Sequence, residues 1–197
     1  MSMISPVIPL SDAGQSRKTG TKAAYLSELI EARFYVPRGF VINADSYRSH
    51  LWASGARDLA CKALEAEQRE EVRTAILNTS MPDDIKNAVY EAYERLSWQT
   101  GAADPKIAVR PSAVEEGLKQ GGFAGAYESC LNISGRDMLE SAIKRVWASL
   151  WTGKAAAYRS NSGLDTEPAM AVIVQQMLNA DWVGTVETCE PVTGDPR

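Results

Sequence analysis

The stretch Ala169–Met177, AMAVIVQQM, constrains this chain more than any other part of it. An apolar run of strand length with no polar alternation is the pattern of a strand buried on both faces. Asn179-Ala180-Asp181-Trp182 follows as a turn, and Val183–Glu187 reads as the hairpin partner.

The first hundred residues have another period. A helix is predicted from Thr21, with Ala24, Leu26, Leu29 and Ile30 on one face, stopped by Val36-Pro37-Arg38-Gly39. Gly39–Ile42 reads as a short buried strand, and Asn43 or Asp45 as the cap of a helix carrying Tyr47 and Leu51. Residues 56–79 suit one or two amphipathic helices. Ser80-Met81-Pro82-Asp83 marks a start, with a hydroxyl cap and proline in the first turn. The helix after it buries Ile85, Val89, Ala92, Tyr93 and Leu96 and ends near Gly101.

Beyond it, Lys106–Arg110 is a short apolar strand ending in a cation, before a loop with Gly117, Gly121, Gly122 and Gly125. Tyr127–Ile133 looks extended, and Asp137–Trp151 is a helix presenting Leu139, Ile143, Val146, Trp147 and Leu150. The expected fold class is α+β: a mostly helical subdomain over residues 1–100, then a glycine loop and a small mixed or antiparallel sheet over 101–197.

A formal net charge of −4 gives no reason to expect nucleic acid or an anionic membrane as partner, so any phosphate site must come from local placement of Arg and Lys. Cys61, Cys130 and Cys189 form no CxxC pair and find no zinc partner in His50, so they read as reduced thiols and no metal site is expected. The N-terminus lacks the charged leader and apolar run of a signal peptide, and no stretch approaches the ~18 apolar residues that span a bilayer. The expected location is the cytoplasm.

Four local features can carry chemistry. Arg110-Pro111-Ser112-Ala113 offers a guanidinium that can hold phosphate oxygens through paired hydrogen bonds, with the Ser112 hydroxyl beside it. Alone it fits a strand-end arginine in a surface ion pair equally well. Gly121-Gly122-Phe123-Ala124-Gly125-Ala126-Tyr127-Glu128-Ser129 lets backbone amides approach an anion, or is a plain turn; it is neither a Walker pattern nor a dinucleotide fingerprint. Lys22, near a helix start, can reach a phosphate or stay solvated. Gln175, Gln176 and Met177 can offer amides and an apolar surface to an adenine, or simply end a core strand.

The order of these features changes their weight. GTKAAYLSEL, VPRGFVINADSY, AVRPSAVEEGLKQGGFAGAYESCLNI, ESAIKRVWASLWTGKAAAYR, AMAVIVQQM and EPVTGD follow one another over about residues 20–195. In that order they resemble the ATP-binding domain shared by phosphoenolpyruvate synthase, pyruvate phosphate dikinase and rifampin phosphotransferase. The resemblance implies an ATP-grasp fold, with ATP and Mg²⁺ as cofactors. It places Lys22 and Arg110 on the phosphates, Arg110 being the catalytic candidate. Ser112 falls in the serine pair after the arginine, Gly122, Gly125 and Ser129 in the loop over the phosphates, and Gln175, Gln176 and Met177 at the adenine hinge.

The chain departs from that pattern at Pro111, which stands where the family has the first serine of its pair and has no N–H to donate. Gly121-Gly122 and Glu187 are also unusual. Family members continue past the PVTG segment with acidic metal ligands and a phosphate-accepting histidine. His50, in Tyr47-Arg48-Ser49-His50-Leu51, reads instead as an ordinary helix histidine. The resemblance thus implies the ATP-binding portion of a phosphotransferase whose histidine and acceptor-binding domains lie elsewhere, so this piece alone is expected to be inactive. Two other readings stay open: a non-catalytic interaction or regulatory module, and the ATP-activating front end of a biosynthetic condensing enzyme. Fold does not choose the acceptor.

Overall fold

The computed structural model describes residues 5–62, 65–114, 125–161 and 168–184. In chain order the elements are β1 (Val7–Pro9), α1 (Ser16–Thr19), α2 (Thr21–Glu31), β2 (Gly39–Ile42), α3 (Ala44–Ala53) and α4 (Arg57–Ala60), then α5 (Ala66–Asn78), α6 (Asp83–Thr100), β3 (Ile107–Ala113), β4 (Cys130–Ile133), α7 (Arg136–Ala148), α8 (Gly153–Asn161) and β5 (Met170–Gln176). The strands form one antiparallel sheet in the order β1-β2-β5-β3-β4.

The apolar run behaves as its composition demands. β5 lies at the centre of the sheet, and Met170 to Val174 are fully buried. Its two edges are occupied by β2 and β3, so it has no room for a hairpin partner from residues 183–187. Val183 and Gly184 are exposed coil, and residues 185–187 lie outside the described part.

Alternation along the strands sends side chains to two unequal cores. Ile42, Ile107, Val109, Val172 and Val174 face the larger one, with Tyr47 and Leu51 of α3, the α6 stripe, and Leu139, Ile143, Val146 and Trp147 of α7. Each such side chain, fully buried, stabilises the fold by about 1.5–3 kcal/mol relative to exposure. Ile85, Val89, Ala92, Tyr93 and Leu96 are all buried, as their spacing predicts. Trp151 Nε1 donates to Tyr47 Oη at 3.0 Å, tying the turn after α7 to α3. On the other face, among the described residues, Val41, Ala171 and Ile173 cluster with Leu10, Ala13, Ala23 and the partly buried Leu26, Ile30 and Val36. That face is covered by little more than α2 and the turns before it.

Several boundaries differ from those read in the sequence. α2 ends at Glu31, before the proline, because Arg33 takes a left-handed conformation (φ 64). Phe34 N–H then donates to Leu29 O and Arg33 N–H to Ile30 O, closing the helix end without a glycine. Leu29 is exposed, and Ala23 and Ser27 take the buried places beside Ala24. Asn43 caps α3, accepting from Ser46 N–H at 2.9 Å. Pro82 occupies the cap position of α6, with Ser80 two residues outside. β4 begins only at Cys130, and α8 carries no stripe strong enough to announce itself, with Ala155 and Arg159 its buried residues.

The largest departure is β3, which does not stop at Arg110 but runs through Pro111 to Ala113. Val114 N–H donates to Ala169 O, and Met177 N–H to Lys106 O. In an antiparallel ladder only alternate residues bond a given neighbour, so these two bonds assign Ala108, Arg110 and Ser112 to β5. Pro111 therefore turns its nitrogen away from β5. On that other side β4 is registered with β3 only from Ile107 to Val109, so the proline removes no ladder bond.

Candidate functional site

On the thinly covered face the register gathers the residues singled out in the sequence. Arg110 lies opposite Ile173 and Ser112 opposite Ala171, so both side chains share a face with Gln175. Val109 pairs with Cys130, whose thiol points into the larger core. Ser129, exposed, immediately precedes Cys130 in the chain, as Arg110 follows Val109.

Helix α2 brings Lys22 to the same place through close contact with β3. Ser112 is fully buried, and its Oγ accepts from Ala23 N–H in the first turn of α2 at 3.1 Å. A capping role normally filled by the preceding residue is here filled from across the sheet. Gly20 makes the approach possible. Its backbone (φ 76, ψ 160) is in a region open essentially to glycine alone, and a Cβ there would lie 2.1 Å from Ser112 O. Lys22 Nζ then donates to Pro111 O at 3.2 Å. The Ser112 hydroxyl, read in the sequence as a phosphate contact, is thus engaged in holding α2, and Pro111 supplies the carbonyl that receives the lysine.

Arg110 is half-buried, and among the described residues its guanidinium has no hydrogen-bond or ion-pair partner. A cation withdrawn from water without an acceptor is costly. Next to Arg110 in β3, Pro111 O accepts from Lys22, and Ser112 Oγ accepts from the first turn of the eleven-residue α2, so a guanidinium, an ammonium and a helix N-terminus belong to adjacent positions.

The hinge residues divide. Gln175 is buried, and its Nε2 donates to Pro37 O at 3.0 Å. Gln176 falls on the opposite face by alternation, and its N–H donates to Arg38 O at 2.8 Å. Met177 N–H is bound to Lys106 O, so a nucleobase at this edge would read carbonyl oxygens and side chains. Gly125 (φ 75) and Ser129 are exposed, while Gly122 and the rest of residues 115–124 lie outside the described part, as does EPVTGD. Among the described residues no group of three or more His, Cys, Asp or Glu side chains can hold a metal ion.

Two features belong to the core, not the site. His50 is buried, its Nε2 2.9 Å from Ile76 O and its ring 5.2 Å from that of Trp147. Burial holds its pKa below the ordinary histidine value, with the Ile76 carbonyl opposing the shift. Cys130 is likewise buried, and desolvation raises its thiol pKa. No described helix is long and apolar enough to cross a membrane.

Comparison with known proteins gives the same region a name. Residues 16–197 match the family described as the pyruvate phosphate dikinase AMP/ATP-binding domain. The phosphoenolpyruvate synthase of Aeropyrum pernix is 36% identical over 188 residues, covering 89% of this chain and 23% of that protein. The probable phosphoenolpyruvate synthase of Methanothermobacter thermautotrophicus is 33% identical, covering 90% of the chain and 28% of its own length. For the phosphoenolpyruvate synthase of Helicobacter pylori the values are 34%, 83% and 22%. The chain thus spans about a quarter of the length of these relatives.

Proposed function

The chain belongs to the pyruvate phosphate dikinase AMP/ATP-binding domain family, and on that footing we propose that it binds ATP for a phosphotransferase that relays the phosphoryl group through a histidine on another domain. Arg110, half-buried and without an acceptor among the described residues, is the observation that carries this reading. Its two-pronged guanidinium takes two oxygens of the phosphate chain, and Lys22, whose ammonium donates to Pro111 O beside it, contacts another. Gly125 and Ser129 approach from the β4 side, Gln175 and Met177 receive the adenine, and Ser112 acts through α2.

Phosphoryl transfer asks mainly for positioning and for charge placed before the reaction starts. Lys22 and Arg110 meet that need because α2 and β3 are pinned together through backbone and buried hydroxyl. Magnesium, where bound, would neutralise phosphate charge; the described residues offer no cluster of three or more His, Cys, Asp or Glu to hold it. The acceptor is proposed to bind on other domains, and the cytoplasm is the proposed location.

The test is calorimetric titration of the full-length gene product with Mg-ATP. Arg110→Ala should weaken binding by about 10- to 100-fold, the range for a charge-assisted contact in a partly buried site. Unchanged affinity in that variant would sink the assignment.

A further inference from the structure

We infer that Lys154 is a further phosphate-binding residue of this nucleotide site, reaching it from the glycine-turn side. The inference rests on the reading just given and adds a residue that the sequence motifs did not single out.

Lys154 opens α8, whose first turn is firmly based. Thr152 Oγ1 accepts from Ala155 N–H at 3.2 Å, and Ala155 is fully buried. One turn on, the buried Arg159 donates to Leu150 O at 2.5 Å and lies 5.6 Å from the centre of the Trp151 ring. The backbone at Lys154 is therefore fixed by the core, while its side chain is exposed.

That side chain goes to one particular place. Its Nζ stands 3.6 Å from where a Cβ on Gly125 would be, against the left-handed turn that leads into β4. Five residues later, Cys130 pairs with Val109, the residue before Arg110. The nearby carboxylate of Glu128 is already paired with Arg145. Among the described residues Lys154 has neither a hydrogen bond nor an ion pair. A lysine held against a glycine turn, with Glu128 already paired, has its charge unbalanced among the described residues on the β4 side of β3. A triphosphate spread between Lys22 and Gly125 would supply the balance, and an ammonium suits it because a point charge tolerates several phosphate orientations.

The experiment uses the full-length gene product and two probes, Mg-ATP and inorganic tripolyphosphate. Lys154→Gln should weaken both by about 5- to 20-fold, the low end for a charge-assisted bond because the group is exposed. The salt dependence of binding should fall with it. Lys154→Arg should restore most of the affinity, and the melting temperature should not move, since the side chain is outside the core. If the parent binds ATP and Arg110→Ala weakens it, but Lys154→Gln stays within twofold, this inference fails and the site reading survives. A loss for ATP but none for tripolyphosphate overturns it as well, because the lysine would not be reading phosphate. A parent that binds neither probe overturns both readings.

Discussion

Replacing Gly20 by alanine is the sharpest test of how the two halves of the site are joined. The new Cβ would stand 2.1 Å from Ser112 O and 2.4 Å from Ser112 Oγ, where an ordinary contact needs about 3.4 Å or more. The backbone there (φ 76, ψ 160) disfavours any L side chain by about 1–3 kcal/mol. Relieving the overlap requires β3 and α2 to part by roughly 1 Å, an overpacking cost of about 1–3 kcal/mol. The same movement breaks the 3.1 Å bond from Ala23 N–H to Ser112 Oγ, comparable to a lost helix cap at about 0.5–2 kcal/mol. Because one displacement relieves clash and strain together, the total is less than the sum, about 2–6 kcal/mol. Gly101→Ala is the control: its backbone is also left-handed (φ 71, ψ 14), but nothing lies within 4 Å of its Cβ position. It should cost only about 1–2 kcal/mol. Urea unfolding followed by tryptophan fluorescence measures both, and with a slope of about 2–3 kcal/mol per molar Gly20→Ala should lower the midpoint by at least about 0.7 M. Equal midpoints for the two variants would refute the contact between α2 and β3 on which the placement of Lys22 depends.

Two further outcomes follow from particular groups. His50 keeps its pKa below the ordinary 6.5 by burial, and the charged groups acting on it, Lys144 and Glu140, oppose each other. A depressed value means that the unfolded chain takes the proton first, so stability is full above about pH 6.5 and falls below it by up to about 1.4 kcal/mol per pH unit. Urea midpoints from pH 7.5 to 5.5 should show this fall, and a His50→Gln variant with the same slope would exclude His50 as its source. Pro111→Ala restores an N–H on the open side of β3 without touching the β5 ladder. It should lower stability by about 1 kcal/mol and tighten Mg-ATP binding by about 2- to 10-fold, one net hydrogen bond; calorimetry showing weaker binding would mean that no phosphate approaches there.

What was legible in the sequence follows from where burial is periodic. The stripes of α6 and α7 and the run of β5 announce themselves because a whole face or a whole strand is apolar. β1 is three residues on a sheet edge, and α8 buries little besides Ala155 and Arg159, so neither leaves a pattern. The end of α2 rests on Arg33 in a left-handed conformation, a state that residue type does not advertise. Arg110 ends no strand: a proline looks like a terminator until its hydrogen-bonding parity is known. For the site, motif order selected Lys22, Arg110 and Ser112. It did not distinguish a hydroxyl that touches ligand from one that holds a helix, nor Gln175 from Gln176, because both distinctions depend on register. Lys154 was invisible for a related reason, since its neighbour Gly125 is close only in the fold.

The same geometry bears on why an acidic chain can hold an anion site at all. With a formal net charge of −4, long-range attraction cannot gather phosphate here. The work falls to a few cations whose own solvation has been reduced. Arg110 is the clearest case, because half-burial without an acceptor among the described residues is a cost that an anion at the proposed site would relieve. Lys22 is milder: it rests on Pro111 O, a neutral acceptor that a phosphate oxygen outcompetes. Neither effect survives if the residues drift apart, and Gly20 and Ser112, with the bond from Lys22 to Pro111 O, join their two elements at this point. Selectivity for a polyphosphate at the proposed site would therefore reside as much in an uncharged glycine and a buried serine as in the cations they align.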